Sequence, residues 1–156
     1  MELYDSQKQA EFICLTGQRI RNFFWGTITR RMDAGKKNEK RALPSPTQLQ
    51  LLDIVIAHDR ISISELAKIM AVSPPSTSVM VNYMVNCGWL HRAYSDKDRR
   101  KVLVSVTEEA KEHIAEFHTI LREEIISLID LVGPATTQKW CEVLREIEEA
   151  CTQDAG

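Results

Sequence analysis

"SISELAKIMAVSPPSTSVMVNYMVNCGWLHRAYSDKDRRKVLVSVTEEA", Ser62 to Ala110, is the stretch on which the fold turns. Its middle holds two adjacent prolines and no charge, yet the pattern on either side is regular. Ser73 is a helix N-cap, and Pro74 takes the first helical position, where a missing N–H does no harm because first-turn donors have no acceptor inside the helix. Pro75 is tolerated for the same reason. The prolines therefore start a helix, which runs to about Asn86 and stops at Cys87-Gly88. Before it, Ile61-Ser62-Ile63 is a short β-like run, Ser64 is a cap, and Leu66, Ala67 and Met70 line one side of a short helix. After it the period changes to alternation, with "WLHRAY" and "KVLVSV" as two short strands around "SDKDRR", a polar hairpin tip.

Outward from this stretch the chain is helical. Phe12, Ile13, Ile20, Phe23, Phe24 and Ile28 fall near helical spacing in the first 33 residues, and that helix is apolar enough to need a partner. "MDAGKKNEKRALPSP" follows, a charged and turn-rich loop placed at 34–45. Pro46 then opens a helix capped by Ser45 that ends near His58-Asp59. On the other side, Thr107 caps a helix with an acidic first turn. Ile114, Phe117, Leu121, Ile125, Leu128 and Val132 form a near-heptad stripe along it, which implies a partner helix. Gly133-Pro134 breaks it, and a last helix carries Trp140, Val143, Leu144 and Ile147.

The chain has 156 residues, 44% hydrophobic and 27% charged, which suits one domain with a real core. No segment approaches the roughly 18 apolar residues that span a bilayer, and the expected location is the cytoplasm. Cys14, Cys87, Cys141 and Cys151 form no C-x-x-C pair, so neither a zinc ribbon nor a thioredoxin-type site is expected. Net charge is only −2. Its distribution is uneven, with 16 Lys/Arg against 10 Asp/Glu up to Thr107 and 4 against 12 beyond it. A polyanion-binding face joined to an acidic support would have this asymmetry, and so would two solvated surfaces. A glycine-rich phosphate loop, a nucleophile motif and paired catalytic carboxylates are absent from the sequence, so no enzymatic activity, cofactor or metal is expected.

Two short helices joined by a tight turn and followed by a basic-tipped hairpin are the arrangement of a winged helix-turn-helix. The second helix of that arrangement lies in the DNA major groove, and Arg92, Lys97, Arg99, Arg100 and Lys101 supply charge from the hairpin. The whole quoted stretch resembles the DNA-binding core of the MarR family of bacterial and archaeal transcriptional regulators. The specific match is the wing, where Asp98-Arg99-Arg100 gives D-x-R and "KVLVSVTEEA" closes the hairpin. The resemblance covers about Leu43 to Ala110, and the flanking helices fit in placement.

The resemblance implies a mainly α fold: a winged helix-turn-helix DNA-binding lobe with a two-stranded wing, plus N- and C-terminal dimerisation helices. The divisions are 1–33 for the N-terminal dimerisation helix, 34–45 for the loop, 46–106 for the DNA-binding lobe and 107–156 for the C-terminal dimerisation helices. It implies a homodimer on double-stranded palindromic DNA, controlled by a small-molecule effector. By position, Arg100 enters the minor groove and Asp98 orients it, while Arg92, Lys97 and Arg99 meet phosphates, or Arg99 pairs back to the body of the domain. Ser73, Pro74, Ser76, Thr77, Ser78, Asn82 and Tyr83 lie near the major groove, and Val72, Met80, Val81 and Met84 belong to the core. Phe23, Phe24 and Trp25 are candidate linings of an effector pocket.

The chain departs from the family in one respect, since no Lys or Arg occurs between Lys68 and Arg92. Readout then leans on hydroxyls, Asn82, thymine methyls and DNA shape, and affinity on the wing with Arg60 or Lys68. Other readings stay open. The uncharged helix also suits a winged-helix protein-interaction module. Cys14 is either a buried packing residue or, as in the peroxide-sensing branch, a redox-sensing thiol. His113 and His118 beside Glu109, Glu112 and Glu116 read as solvated charges before a metal site.

Overall fold

The computed structural model describes residues 5–34, 43–94 and 101–153. The wing tip with Lys97, Asp98, Arg99 and Arg100, and the basic part of the 34–45 loop, lie outside the described residues. The elements follow the order α1 (Ser6–Ala34), α2 (Pro46–His58), β1 (Ile61–Ser62), α3 (Ile63–Ile69), α4 (Pro74–Asn86), β2 (Leu90–Tyr94), β3 (Val102–Val106), α5 (Glu108–Val132) and α6 (Pro134–Gln153). They group into two compact units, one of residues 29–118 and one of residues 1–28 with 119–156.

The unit of residues 29–118 is built from helices whose starts are set by local hydrogen bonds. Ser45 caps α2 in a reciprocal box, its backbone N–H donating to Gln48 Oε1 at 2.8 Å while its Oγ accepts from the Gln48 N–H. α3 is capped by Ser62, and the expected cap at Ser64 is corrected here. The reason is the S-x-x-E spacing: Ser62 Oγ accepts from the Glu65 N–H, and the Glu65 carboxylate accepts from the Ser62 N–H. β1 therefore ends one residue before the helix begins. Ser73 caps α4 as the sequence suggests, with Pro74 and Pro75 in its first turn.

α3 and α4 end alike. After α3, Val72 N–H donates to Ala67 O and Ala71 N–H to Lys68 O; after α4, Trp89 N–H donates to Met84 O and Gly88 N–H to Val85 O. Ala71 and Gly88 both have positive φ, 53° and 77°. This is the Schellman arrangement, in which a left-handed residue turns the chain away from the helix.

The hairpin β2–β3 is antiparallel, with Leu90 opposite Val106 and Tyr94 opposite Val102. The wing is the two-stranded hairpin β2–β3 as expected, and β1 adds to the far side of β3, Ile61 opposite Val104, so the sheet has three strands in the order β1-β3-β2. The extra strand ties the segment before α3 to the hairpin. Leu51, Leu52, Val55, Ile61, Leu66, Val81, Met84, Trp89, Leu90, Val104, Val106, Ala110 and Ile114 form one buried cluster, so every element of the helix-turn-helix and wing contributes to a single core.

The other unit has a different surface. Phe12, Ile13, Leu15, Ile20 and Phe23 of α1 are exposed, as are Ile126, Leu131 and Val132 of α5. α6 buries no residue, and its Trp140, Val143, Leu144 and Ile147, spaced as one helical face, stand open to solvent. Cys14 is exposed too, against the expectation of a buried packing cysteine. No helix among the described residues is long and apolar enough to cross a membrane.

Candidate nucleic-acid interface

α4 has two faces fixed by its sequence. Thr77, Val81 and Met84 are buried, spaced 4 and 3, and Met80 packs against the same core. At about 100° per residue the opposite side carries Pro75, Val79, Asn82, Tyr83 and Asn86, all exposed. Pro74 and Ser76 are exposed at its start and Ser78 is half-buried at its flank.

Of the residues expected in the groove, Ser73, Pro74, Ser76, Asn82 and Tyr83 thus lie on accessible surface. Thr77 does not. It is 1% exposed and its Oγ1 donates to Ser73 O at 3.1 Å, so the hydroxyl satisfies a backbone carbonyl within the helix start. The spacing to Val81 and Met84 signals this burial. The Ser73 and Ser76 hydroxyls lie 2.8 Å apart and bond each other, which leaves the pair a single polar knob at the helix N-terminus. Val72, expected in the core, is half-buried.

Val79 is not among the residues expected to contact DNA. It is 70% exposed at the centre of the outward face, one turn from both Pro75 and Tyr83. The i, i+4, i+8 spacing of the three was a usable signal. Tyr83 is 53% exposed, and hydrogen bonding to Cys87 holds its hydroxyl above its ordinary pKa.

Cations surround this helix in sequence without occupying it. Arg92 on β2 and Lys101 before β3 are exposed. At the other end, Arg60 and Lys68 line an open cleft of about 250 Å³ with His58, Ile61, Glu65 and Ile69. The hydrogen bonds from Ser62 hold the Glu65 carboxyl below its ordinary pKa, with a smaller contribution from Lys101 and His58. Glu65 is therefore a cap first and only weakly a counter-charge to the cleft.

The two histidines of α5 are not simply solvated charges. His118 Nε2 lies 2.9 Å from Asp53 Oδ1 of α2, and His113 packs edge-on against Trp89 with ring centroids 5.9 Å apart. A separation of 65 residues gave the Asp53 partnership no sequence signal. No group of three or more His, Cys, Asp or Glu residues among the described ones could hold a metal ion. Phe23 and Phe24, two of the three candidate effector contacts, pack edge to face at 5.7 Å, with Phe23 largely exposed.

Comparison with known proteins agrees with this geometry. The model of the MarR family matches residues 44–101, the span from the start of α2 to the end of the wing tip. An uncharacterized HTH-type transcriptional regulator of Bacillus subtilis, YfiV, is 26% identical over 106 residues, 68% of this chain and 66% of that protein, just under two thirds of its length. Among solved structures, RV1404 from Mycobacterium tuberculosis is similar with a TM-score of 0.73 at 20% identity, covering 96% of this chain and 95% of that one. A mutant MarR from E. coli complexed with operator DNA is similar with a TM-score of 0.65 at 16% identity, covering 94% of this chain and 99% of that one. With an exposed second helix and a hairpin held in the same sheet as β1, the chain has the winged helix-turn-helix fold of these structures, and its residues 44–101 resemble the MarR family.

Proposed function

We propose that the protein is a cytoplasmic homodimeric transcriptional regulator that binds a palindromic operator and is released or engaged by a small-molecule effector. The observation that carries the reading is the exposed face of α4, whose polar groups at Ser73, Ser76 and Asn82 stand clear of the core on a helix without charge. Specific contacts come from that face, with Pro74 and Ser78 at its edge, and from Arg100, which enters the minor groove oriented by Asp98; phosphate contacts come from Arg92, Lys97 and Arg99. Thr77 has no part in it. Two-fold symmetry places the half-sites about one helical turn apart.

Residues 1–33 and 107–156 serve as dimerisation helices, and residues 46–106 as the DNA-binding lobe. The open apolar faces of α1 and α6 support this, because a single chain leaves them in water. An effector held against Phe23, Phe24 and Trp25 that prefers the free dimer weakens operator binding by the factor by which DNA weakens its own binding.

The test is a fluorescence-anisotropy titration against DNA from upstream of the gene and against scrambled DNA at two salt concentrations. The regulator binds its own DNA more tightly and loses affinity steeply with salt, and Arg100→Ala lowers that affinity steeply. Ser76→Ala has a smaller effect than Arg100→Ala. Absence of binding to either DNA at low salt, from a folded dimer, refutes the reading and favours a protein-interaction module, which the uncharged α4 also suits.

A further inference from the structure

We propose that Val79, flanked by Pro75 and Tyr83, reads thymine 5-methyl groups, and that the centre of each half-site is an A·T-rich run recognised without any guanine contact from α4. The inference rests on the operator-binding reading and deepens it by naming the bases the helix selects.

Each base pair displays its own pattern of groups in the major groove. Guanine offers two acceptors, O6 and N7, best met by the paired donors of arginine or by lysine, whereas thymine offers one acceptor and a methyl group. No side chain of α4 carries a charge, so the donor fork that guanine requires is absent from the helix. What α4 presents at its centre is a branched aliphatic side chain, 70% exposed. Asn82 stands beside it on the same face, and its amide can bond adenine at N6 and N7, the partner base of a thymine. A methyl reader and an adenine reader side by side select the same base pair.

The shape of the apolar surface separates DNA from a protein partner. Pro75, Val79 and Tyr83 lie at i, i+4 and i+8, forming a ridge one side chain wide and about 12 Å long. Asn82 and Asn86 border it on the outward face, and Ser76 stands at its start. A protein interface of ordinary size takes roughly 800 Å² from each partner around an apolar centre, far more than such a ridge supplies. The ridge does match a row of methyl groups spaced about 3.4 Å apart along a DNA strand, three or four base pairs in all. Tyr83, 53% exposed, adds the apolar face of its ring to the ridge.

The experiment separates methyl recognition from DNA binding as such. The full chain is used to select duplexes from a randomised library, and a recovered duplex is resynthesised with deoxyuridine replacing thymidine at one position at a time. This removes only the 5-methyl group and leaves every base-pairing and groove hydrogen bond in place. The expected result is a recurrent thymine run in each half-site, with about fourfold weaker binding for each methyl lost. Val79→Ala, a change at a solvent-exposed site whose folding is checked by thermal denaturation, then binds the thymidine and uridine versions of the Val79-facing position equally. Recovery of a specific duplex that is indifferent to uridine overturns the inference and leaves the regulator reading standing. So does a thymidine preference that survives Val79→Ala undiminished. Recovery of no specific duplex overturns both.

Discussion

Ala71 closes α3 in the same left-handed turn with which Gly88 closes α4, each donating its N–H to the carbonyl three residues back. The two turns are the joints of the helix-turn-helix: one sets the path from α3 into α4, the other the path from α4 into the wing. Only one of them has the residue that the conformation favours. An L side chain in the left-handed region carries a penalty of about 1–2 kcal/mol, offset for alanine by its lower freedom in the unfolded chain. Ala71→Gly is therefore expected to raise stability by up to about 1 kcal/mol, and Gly88→Ala to lower it by about 1 kcal/mol or more. Urea denaturation of the two variants checks both signs, and a stabilised Gly88→Ala would contradict the account.

Thr107 joins the end of the recognition segment to the start of α5. Its Oγ1 donates to Gly88 O at 3.0 Å and accepts from the Ala110 N–H at 3.1 Å, while its own N–H donates to Trp89 O at 3.1 Å. The side chain is buried, so its loss leaves a carbonyl and an amide without partners. Thr107→Val keeps the shape and removes the hydroxyl, and is expected to lower stability by about 1–3 kcal/mol. Thr107→Ser, which keeps the hydroxyl, should recover most of that loss in the same urea titration.

Ser45, Ser73, Thr107 and Gly88 were legible because capping is local: donor and acceptor lie within a few residues, and residue type decides the outcome. The Ser64 assignment failed although the box at Ser62 and Glu65 was equally local, because the β-like Ile61-Ser62-Ile63 was read as a strand through to its end. Thr77 was misplaced by chemistry: a hydroxyl was given a DNA role when helical spacing put it with Val81 and Met84. Asp53 and His118 could not be seen, since no periodicity links residues 65 apart, and neither could the addition of β1 to the sheet.

The cap of α3 makes part of the stability pH-dependent. Glu65 is held below its ordinary pKa of 4.5 by accepting hydrogen bonds from Ser62. A carboxyl with a depressed folded-state pKa contributes stability that is present above its unfolded value and is lost as pH falls through the folded value. Wild type is thus expected to be more stable than Glu65→Ala at pH 7, with the difference shrinking as the solution is taken below about pH 4. Urea midpoints for both proteins at pH 7 and pH 3 measure it. A gap that stays constant or widens in acid would show that the ionised carboxylate is not the stabilising form.

The proposed dimer makes the most demanding prediction, because it assigns a use to the open face of α6. Leu144 and Ile147 stand half-exposed on a helix that buries nothing within its own chain. Burial of a leucine or isoleucine against a partner is worth about 1.5–3 kcal/mol, and two-fold symmetry doubles every contact. Leu144→Glu with Ile147→Glu removes four such side chains, each about half buried already, from a dimer and places four carboxylates there, so dissociation is expected to strengthen by about a hundredfold or more. Sedimentation velocity at micromolar concentration should show a dimer for wild type and a monomer for the double variant. The core cluster that holds the DNA-binding lobe together lies entirely within residues 51–114, so the monomer should keep its lobe folded. It should also lose operator affinity steeply, since one recognition helix must then act without the second. A double variant that remains dimeric would remove α6 from the interface and leave its apolar face without the role assigned to it.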